Sequence, residues 1–137
     1  MPTASTLSKP VLGFMLFLLA AGAVAFAADL IRQRAMARDV AEALTGGDVT
    51  RAPAALRRYG CGGCHTIAGI AGADGKVGGR LSDLRQQVYI GGVVTNTPQN
   101  LTAWIVAPQL FSPTSAMPAT GISEAEARDV AAYLYSH

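Results

Sequence analysis

The sequence predicts an all-α fold, a compact helical domain over residues 48–137 preceded by one N-terminal membrane-spanning helix. Three observations predict it. Half of the 137 residues are hydrophobic, but 16 of the 18 residues from 11 to 28 are hydrophobic and the other two are glycine, so the surplus sits in one run. Beyond that run, apolar residues recur at helical spacing between cap and stop signals, without the alternation of a strand. Finally, both cysteines and the only internal histidine stand together at positions 61–65.

Residues 11–28 carry no charge and would rise about 27 Å as a helix, close to the ~30 Å thickness of a bilayer core. A membrane anchor and a secretory signal are both compatible with this. Lys9 before the run and the small residues Ala23, Ala25 and Ala27 suit a cleaved signal. The run exceeds the roughly 7–15 residues of a signal core, and a helical pattern continues from Asp29 to a stop at Thr45-Gly46-Gly47. The anchor is therefore preferred, although Arg32, Arg34 and Arg38 follow the run and only Lys9 and the amino terminus precede it, a poor positive-inside balance. The expected organisation is an anchor or uncleaved signal at 1–28, a helical tether at 29–47 and the domain at 48–137.

Within the domain, residues 51–59 read as a short helix, with Thr50 as a cap and Pro53 in the first turn. Pro98 at the first position after Asn96-Thr97 opens a second helix that places Leu101, Trp104 and Ile105 on one face and stops at Pro108. Ser123 and Glu126 have the spacing of a capping box, beginning a last helix with Ala127, Val130, Ala131 and Leu134 on one stripe. Residues 88–94 are the only strand candidate, and Gly91-Gly92 interrupt them. Such short helices make a thin core, and small domains of this kind commonly depend on a cofactor, a metal or disulfides.

From Asp48 onward, seven basic residues face six acidic ones, so the basic stripe of a nucleic-acid binder is missing and no nucleic-acid partner is expected. Arg57, Arg58, Lys76, Arg80 and Arg85 read as a solvated face or as cations near an anionic cofactor.

Cys61-Gly62-Gly63-Cys64-His65 carries the chemistry. Structural zinc needs four ligands, and outside the motif there is no further cysteine and only His137. A thioredoxin-like pair needs a βαβ context that the helical flanks do not supply. C-x-x-C-H is the attachment pattern of haem c. On a helical turn, positions three apart share a face, so both sulfurs can bond the edge of one porphyrin while the adjacent imidazole reaches its iron. One covalent haem c is therefore expected, bound at Cys61 and Cys64 with His65 as proximal ligand. Sixth-ligand candidates outside the apolar run are Met36, Met117 and His137, together with Met1. Met117 is preferred, because it is a long apolar side chain on a loop kept non-helical by Pro113 and Pro118.

These residues identify a likeness. Over residues 48–137 the chain resembles the small class I c-type cytochromes, above all membrane-tethered ones and the cytochrome c domains fused to subunit II of haem–copper terminal oxidases. The likeness rests on residues 58–67 around the Cys61, Cys64 and His65 motif, on 96–105 with Pro98 and Trp104, and on Ala116-Met117-Pro118 followed by the helix through Leu134. It implies an all-α wrap around haem c with His65 and Met117 as axial ligands. Where the family usually has Gly-Pro-x-Leu, this chain has Gly78-Gly79-Arg80-Leu81. The Gly79 carbonyl can still accept the proximal histidine's ring proton, without the stiffness of proline. Arg80 is a candidate for the haem-propionate region, Leu81 belongs to the same segment, and Trp104 is expected as a wall of the haem pocket.

The resemblance implies a non-enzymatic one-electron carrier on the periplasmic side of a bacterial inner membrane. The implied partners are a quinol–cytochrome c reductase and a cytochrome c oxidase-type terminal oxidase. An alternative is a haem c subunit of a membrane-bound dehydrogenase complex. A haem enzyme or gas sensor would want a distal histidine or arginine, and no second internal histidine is present. The small apolar run 67–73 is expected either as a docking patch or as a loop tucked beneath the haem.

Overall fold

The computed structural model describes residues 8–137. Its first element is a 37-residue helix, α1 (Lys9–Thr45). Pro10 lies in the first turn, where its missing N–H costs nothing, and no later proline interrupts the helix. None of its most apolar 18-residue stretch is buried against protein, and α1 is long and apolar enough to cross a membrane. The chain divides into two compact units between Ala35 and Met36.

The second unit contains the last turns of α1, where Ala41 and Thr45 are buried. Gly46 ends the helix with φ +68°, its N–H bonded 2.8 Å from the Glu42 carbonyl, a left-handed stop that glycine adopts without strain. At Gly47 the chain runs flat against the Arg128 and Asp129 backbone, leaving no space for a Cβ. Asp129, only 5% exposed, accepts the Asp48 N–H at 2.7 Å and two Arg51 guanidinium bonds at 3.0 Å each. A buried carboxylate is tolerated when it is paired and hydrogen-bonded in this way.

α2 (Ala52–Arg58) follows, with Pro53 in its first turn as expected. Thr50 is not its cap. Arg51 occupies that position without a side-chain bond, while the Thr50 hydroxyl and N–H both go to Asp48 Oδ1. A nearby carboxylate is the stronger acceptor, and it takes the hydroxyl away from the helix end. α3 (Pro98–Val106) is capped by Thr97, whose Oγ1 accepts from the Asn100 N–H at 3.1 Å. α4 (Glu124–Ser136) opens with the expected capping box of Ser123 and Glu126. α2 and α3 both pack on α4. Ala52, Ala127, Ala131 and Ala132 are wholly buried, so these surfaces approach closely but bury little apolar area per residue. Leu56, at 1% exposed, is one of the few large side chains fully enclosed.

The long connection from Tyr59 to Thr97 wraps the remaining space. It contains 3₁₀ turns at Cys61–Gly63 and Leu84–Gln86 and an isolated antiparallel bridge between Thr66 and Asp74. Residues 88–94 are not strandless. β1 (Tyr89–Ile90) and β2 (Val94–Thr95) pair antiparallel with Tyr89 opposite Thr95 and Ile90 opposite Val94. Gly91 and Gly92, expected to break a strand, supply positive φ angles of +56° and +72° at the hairpin turn between them. The wrap is fastened at Asn96, whose Nδ2 donates to the carbonyls of Leu84 and Gln87 at 2.7 and 2.8 Å and whose Oδ1 accepts from the Tyr135 hydroxyl at 2.6 Å.

Candidate functional site

The three short helices and the wrap line a cavity of about 380 Å³ beside the packed core that includes Leu56, Leu101 and Leu134. Its apolar lining comes from α2, α3, α4 and the hairpin and includes Leu56, Leu84, Ile90, Leu101, Ile105 and Leu134. A smaller lobe of about 130 Å³ adjoins it, and Cys61, His65 and Met117 border both lobes. Protein interiors rarely hold voids much larger than a water molecule. A void of this size lined by leucine and isoleucine, within the usual range for a ligand pocket, is a place for an apolar group.

The eight residues expected to hold or line haem border these two lobes. Cys61, His65, Gly79, Arg80, Leu81, Trp104 and Met117 line the larger lobe, and Cys64 lines the smaller. The other sixth-ligand candidates lie elsewhere. Met36 is 67% exposed on α1. His137 stacks on the Tyr133 ring with centroids 4.0 Å apart and lines a separate surface depression. Met1 lies outside the described residues.

The motif is placed by the turn at Cys61–Gly63, entered through Gly60 at φ +68°. The His65 N–H bonds the Cys61 carbonyl at 3.0 Å, which winds the histidine back over the first cysteine. Burial pushes the Cys61 thiol pKa up, whereas Cys64 is exposed. The His65 ring is fixed from below, with its Nδ1 lying 2.7 Å from the Gly79 carbonyl oxygen. A carbonyl only accepts, so Nδ1 carries the proton and Nε2 keeps its lone pair for a metal. The segment supplying that carbonyl is itself tied back, Gly78 N–H to the Cys64 carbonyl at 2.7 Å and Leu81 N–H to the Thr66 carbonyl at 3.1 Å.

Gly78 was not anticipated as a site residue. Its backbone lies against the imidazole so closely that a Cβ would overlap the ring atoms. The Gly78-Gly79 pair carried the signal, because a glycine in a wrap segment often marks a close approach. Gly91 does the same for Trp104, since a Cβ there would overlap the outer edge of the indole. Trp104 is 9% exposed and sits 6.0 Å from the Phe111 ring, forming the expected wall of the cavity. Arg80 is exposed at the cavity edge and enters no ion pair among the described residues. Arg57, Lys76 and Arg85 are exposed too, and Arg58 pairs with Glu126 Oε1 at 2.7 Å.

The run 67–73 does not present its isoleucines to a partner. Ile67, Ile70 and Ala73 are 4%, 8% and 6% exposed and buried in the domain, whereas Ala68, Gly69, Ala71 and Gly72 are exposed, and none of the seven borders the cavity beside His65. The Ile67 N–H bond to the Ala73 carbonyl at 3.0 Å closes the loop, turning the larger side chains inward where burial gains most.

The donor set fits haem c. Two thiols stand at the edge of an apolar slot, beside an imidazole with a free Nε2 and a thioether on the same lining. A larger groove of about 450 Å³, between the end of α1, α3 and the start of α4, offers no such donors. No curated protein and no solved structure gave a match to this chain. A family model described as Cytochrome c matches residues 50–137, well over half of the chain and the whole of the cavity's lining. A slot of this kind around the C-x-x-C-H turn is what that match leads one to expect, and the chain belongs to the cytochrome c family, carrying one covalently bound haem c.

Proposed function

We propose that the protein is a membrane-anchored one-electron carrier in which His65 and Met117 are the axial ligands. It takes electrons from a quinol–cytochrome c reductase and delivers them to a haem–copper terminal oxidase. The family establishes a haem c electron-transfer protein. The observation carrying the finer reading is that, of the sixth-ligand candidates among the described residues, Met117 alone borders the same apolar cavity as His65.

Bound haem supplies one-electron chemistry, its iron cycling between ferrous and ferric states. The chain's residues set the conditions for it. Gly79 holds the proton on His65 Nδ1, keeping the ring oriented and its Nε2 basic. The Met117 thioether and the apolar lining disfavour the additional charge of the oxidised form, which raises the potential. Leu56, Trp104 and Leu134 keep water away from the interior face. Cys61 and Cys64 attach the cofactor at its edge, and Cys64 is exposed there, which gives electrons a short route to the surface.

Anchoring to a membrane is supported by the unburied apolar stretch of α1, and the setting proposed with it is a bacterial inner membrane with the haem domain on the periplasmic side. The ferric holoprotein should show a methionine-to-iron charge-transfer band that Met117→Ala abolishes. A high-spin spectrum that shifts readily with cyanide would sink the ligation. Purification in mild detergent with identification of the copurifying complex tests the partners, and recovery with a substrate dehydrogenase instead would replace the oxidase reading.

A further inference from the structure

Met117 sits on a segment with little to hold it. Among the described residues, no backbone–backbone hydrogen bond engages residues 116–122. The Met117 N–H reaches only the neighbouring Ser115 hydroxyl, at 3.3 Å. Its carbonyl is held from outside the segment, by the Gln109 side-chain amide donating from Nε2 at 2.7 Å.

Gln109 is well placed to act as a fixed post. It lies in the 3₁₀ turn Pro108–Leu110, directly after α3. Pro108 is fully buried, and its carbonyl accepts from the N–H groups of Phe111 and Ser112 at 3.1 and 3.0 Å. The same α3 supplies Leu101, Trp104 and Ile105 to the cavity wall. Pro118 restricts Met117 to extended backbone, so fixing the Met117 carbonyl also fixes where the side chain leaves the chain.

We infer that Gln109 is a positioning residue for the sixth ligand, registering the Met117 loop to the α3 wall so that the thioether is presented to the iron. This rests on the proposed ligation by Met117. The bond does not merely close a loop, because it acts at the ligand's own carbonyl and comes from an element that lines the haem cavity.

The test uses the full-length holoprotein in detergent. In Gln109→Ala the methionine-to-iron band of the ferric form should weaken, the midpoint potential should fall, and imidazole should bind the ferric protein up to about tenfold more tightly, the size expected for one lost hydrogen bond. Gln109→Glu adds a readout that a plain structural role would not move. An ionised carboxylate cannot donate to the Met117 carbonyl, whereas a protonated one can. This variant should resemble Gln109→Ala at neutral pH and regain the band as the pH falls through the carboxyl range. Should Gln109→Ala fail to assemble with haem, the isosteric glutamate variant decides by its titration alone. If both variants match wild type in band, potential and imidazole affinity at every pH, the positioning role is overturned. If wild type itself lacks the band, the Met117 ligation fails and this inference fails with it.

Discussion

The Tyr59 hydroxyl donates to Glu126 Oε2 over 2.8 Å, tying the residue two before the first haem cysteine to the first turn of α4. Glu126 is already the acidic member of the capping box, its Oε2 accepting from the Ser123 hydroxyl at 2.7 Å and its Oε1 from Arg58. One carboxylate thus closes a helix end and fastens the helix that leads into Cys61. Hydrogen bonds from Ser123 and then Tyr59 hold its pKa below the ordinary 4.5. The stabilisation is therefore present above about pH 4.5 and lost as the pH falls through the lower, folded-state value. Glu126→Gln should lower the melting temperature at neutral pH and flatten the acid limb of stability against pH. Thermal unfolding followed from pH 7 to pH 3 checks both.

The two glycines under His65 should respond in opposite ways. Gly78→Ala drives a methyl group into the imidazole, so the ring must tilt off its bond to Gly79, with lower haem incorporation or a shifted Soret band. Gly79 lies outside the left-handed region, has open space at its Cβ position, and its N–H makes no backbone hydrogen bond among the described residues. Gly79→Pro therefore keeps the accepting carbonyl while stiffening the segment and should add about 0.4–1 kcal/mol. Denaturant unfolding of the holoprotein measures it, and a destabilised Gly79→Pro would mean that this segment needs the glycine.

Ile70 is a core residue, so Ile70→Lys should cost about 2 kcal/mol or more through lost packing and a buried charge. The loss should be visible in the folded protein before any partner is added. Normal stability with slower electron transfer to a partner would instead restore a docking role.

Tyr135 is buried with its hydroxyl on Asn96, and burial pushes its pKa from 10 up to about 12. Because the folded-state value is the higher one, this contribution is complete below pH 10 and is lost as the pH rises towards 12. Tyr135→Phe should leave Asn96 Oδ1 without its partner, costing about 1 kcal/mol at neutral pH. It should also remove the steepening of unfolding above pH 10. Stability curves from pH 7 to pH 12 for both proteins test the sign.

What could be read from the chain was local in sequence. The caps Thr97 and Ser123, the Gly46 stop and the C-x-x-C-H turn each depend on residues within four positions of one another, and all stand where their patterns place them. Thr50 was misread because the competing Asp48 acceptor depends on turn geometry. The glycines at 91 and 92 were misread because one residue type serves to break a strand or to turn a hairpin, and pairing with Val94–Thr95 selects between them.

By itself the sequence determined the helical composition, the apolar stretch of α1 and the chemistry of cysteines beside a histidine, since propensity, hydropathy and bond-forming groups belong to the residues themselves. Only the tertiary structure decided that eight residues scattered from Cys61 to Met117 border two cavity lobes that share Cys61, His65 and Met117. It likewise placed Ile70 inward, laid Gly78 under the imidazole and joined Gln109 to Met117. Those outcomes depend on how a chain with many buried alanines closes around space it cannot fill with its own side chains, and no local pattern encodes where such a wrap comes to rest.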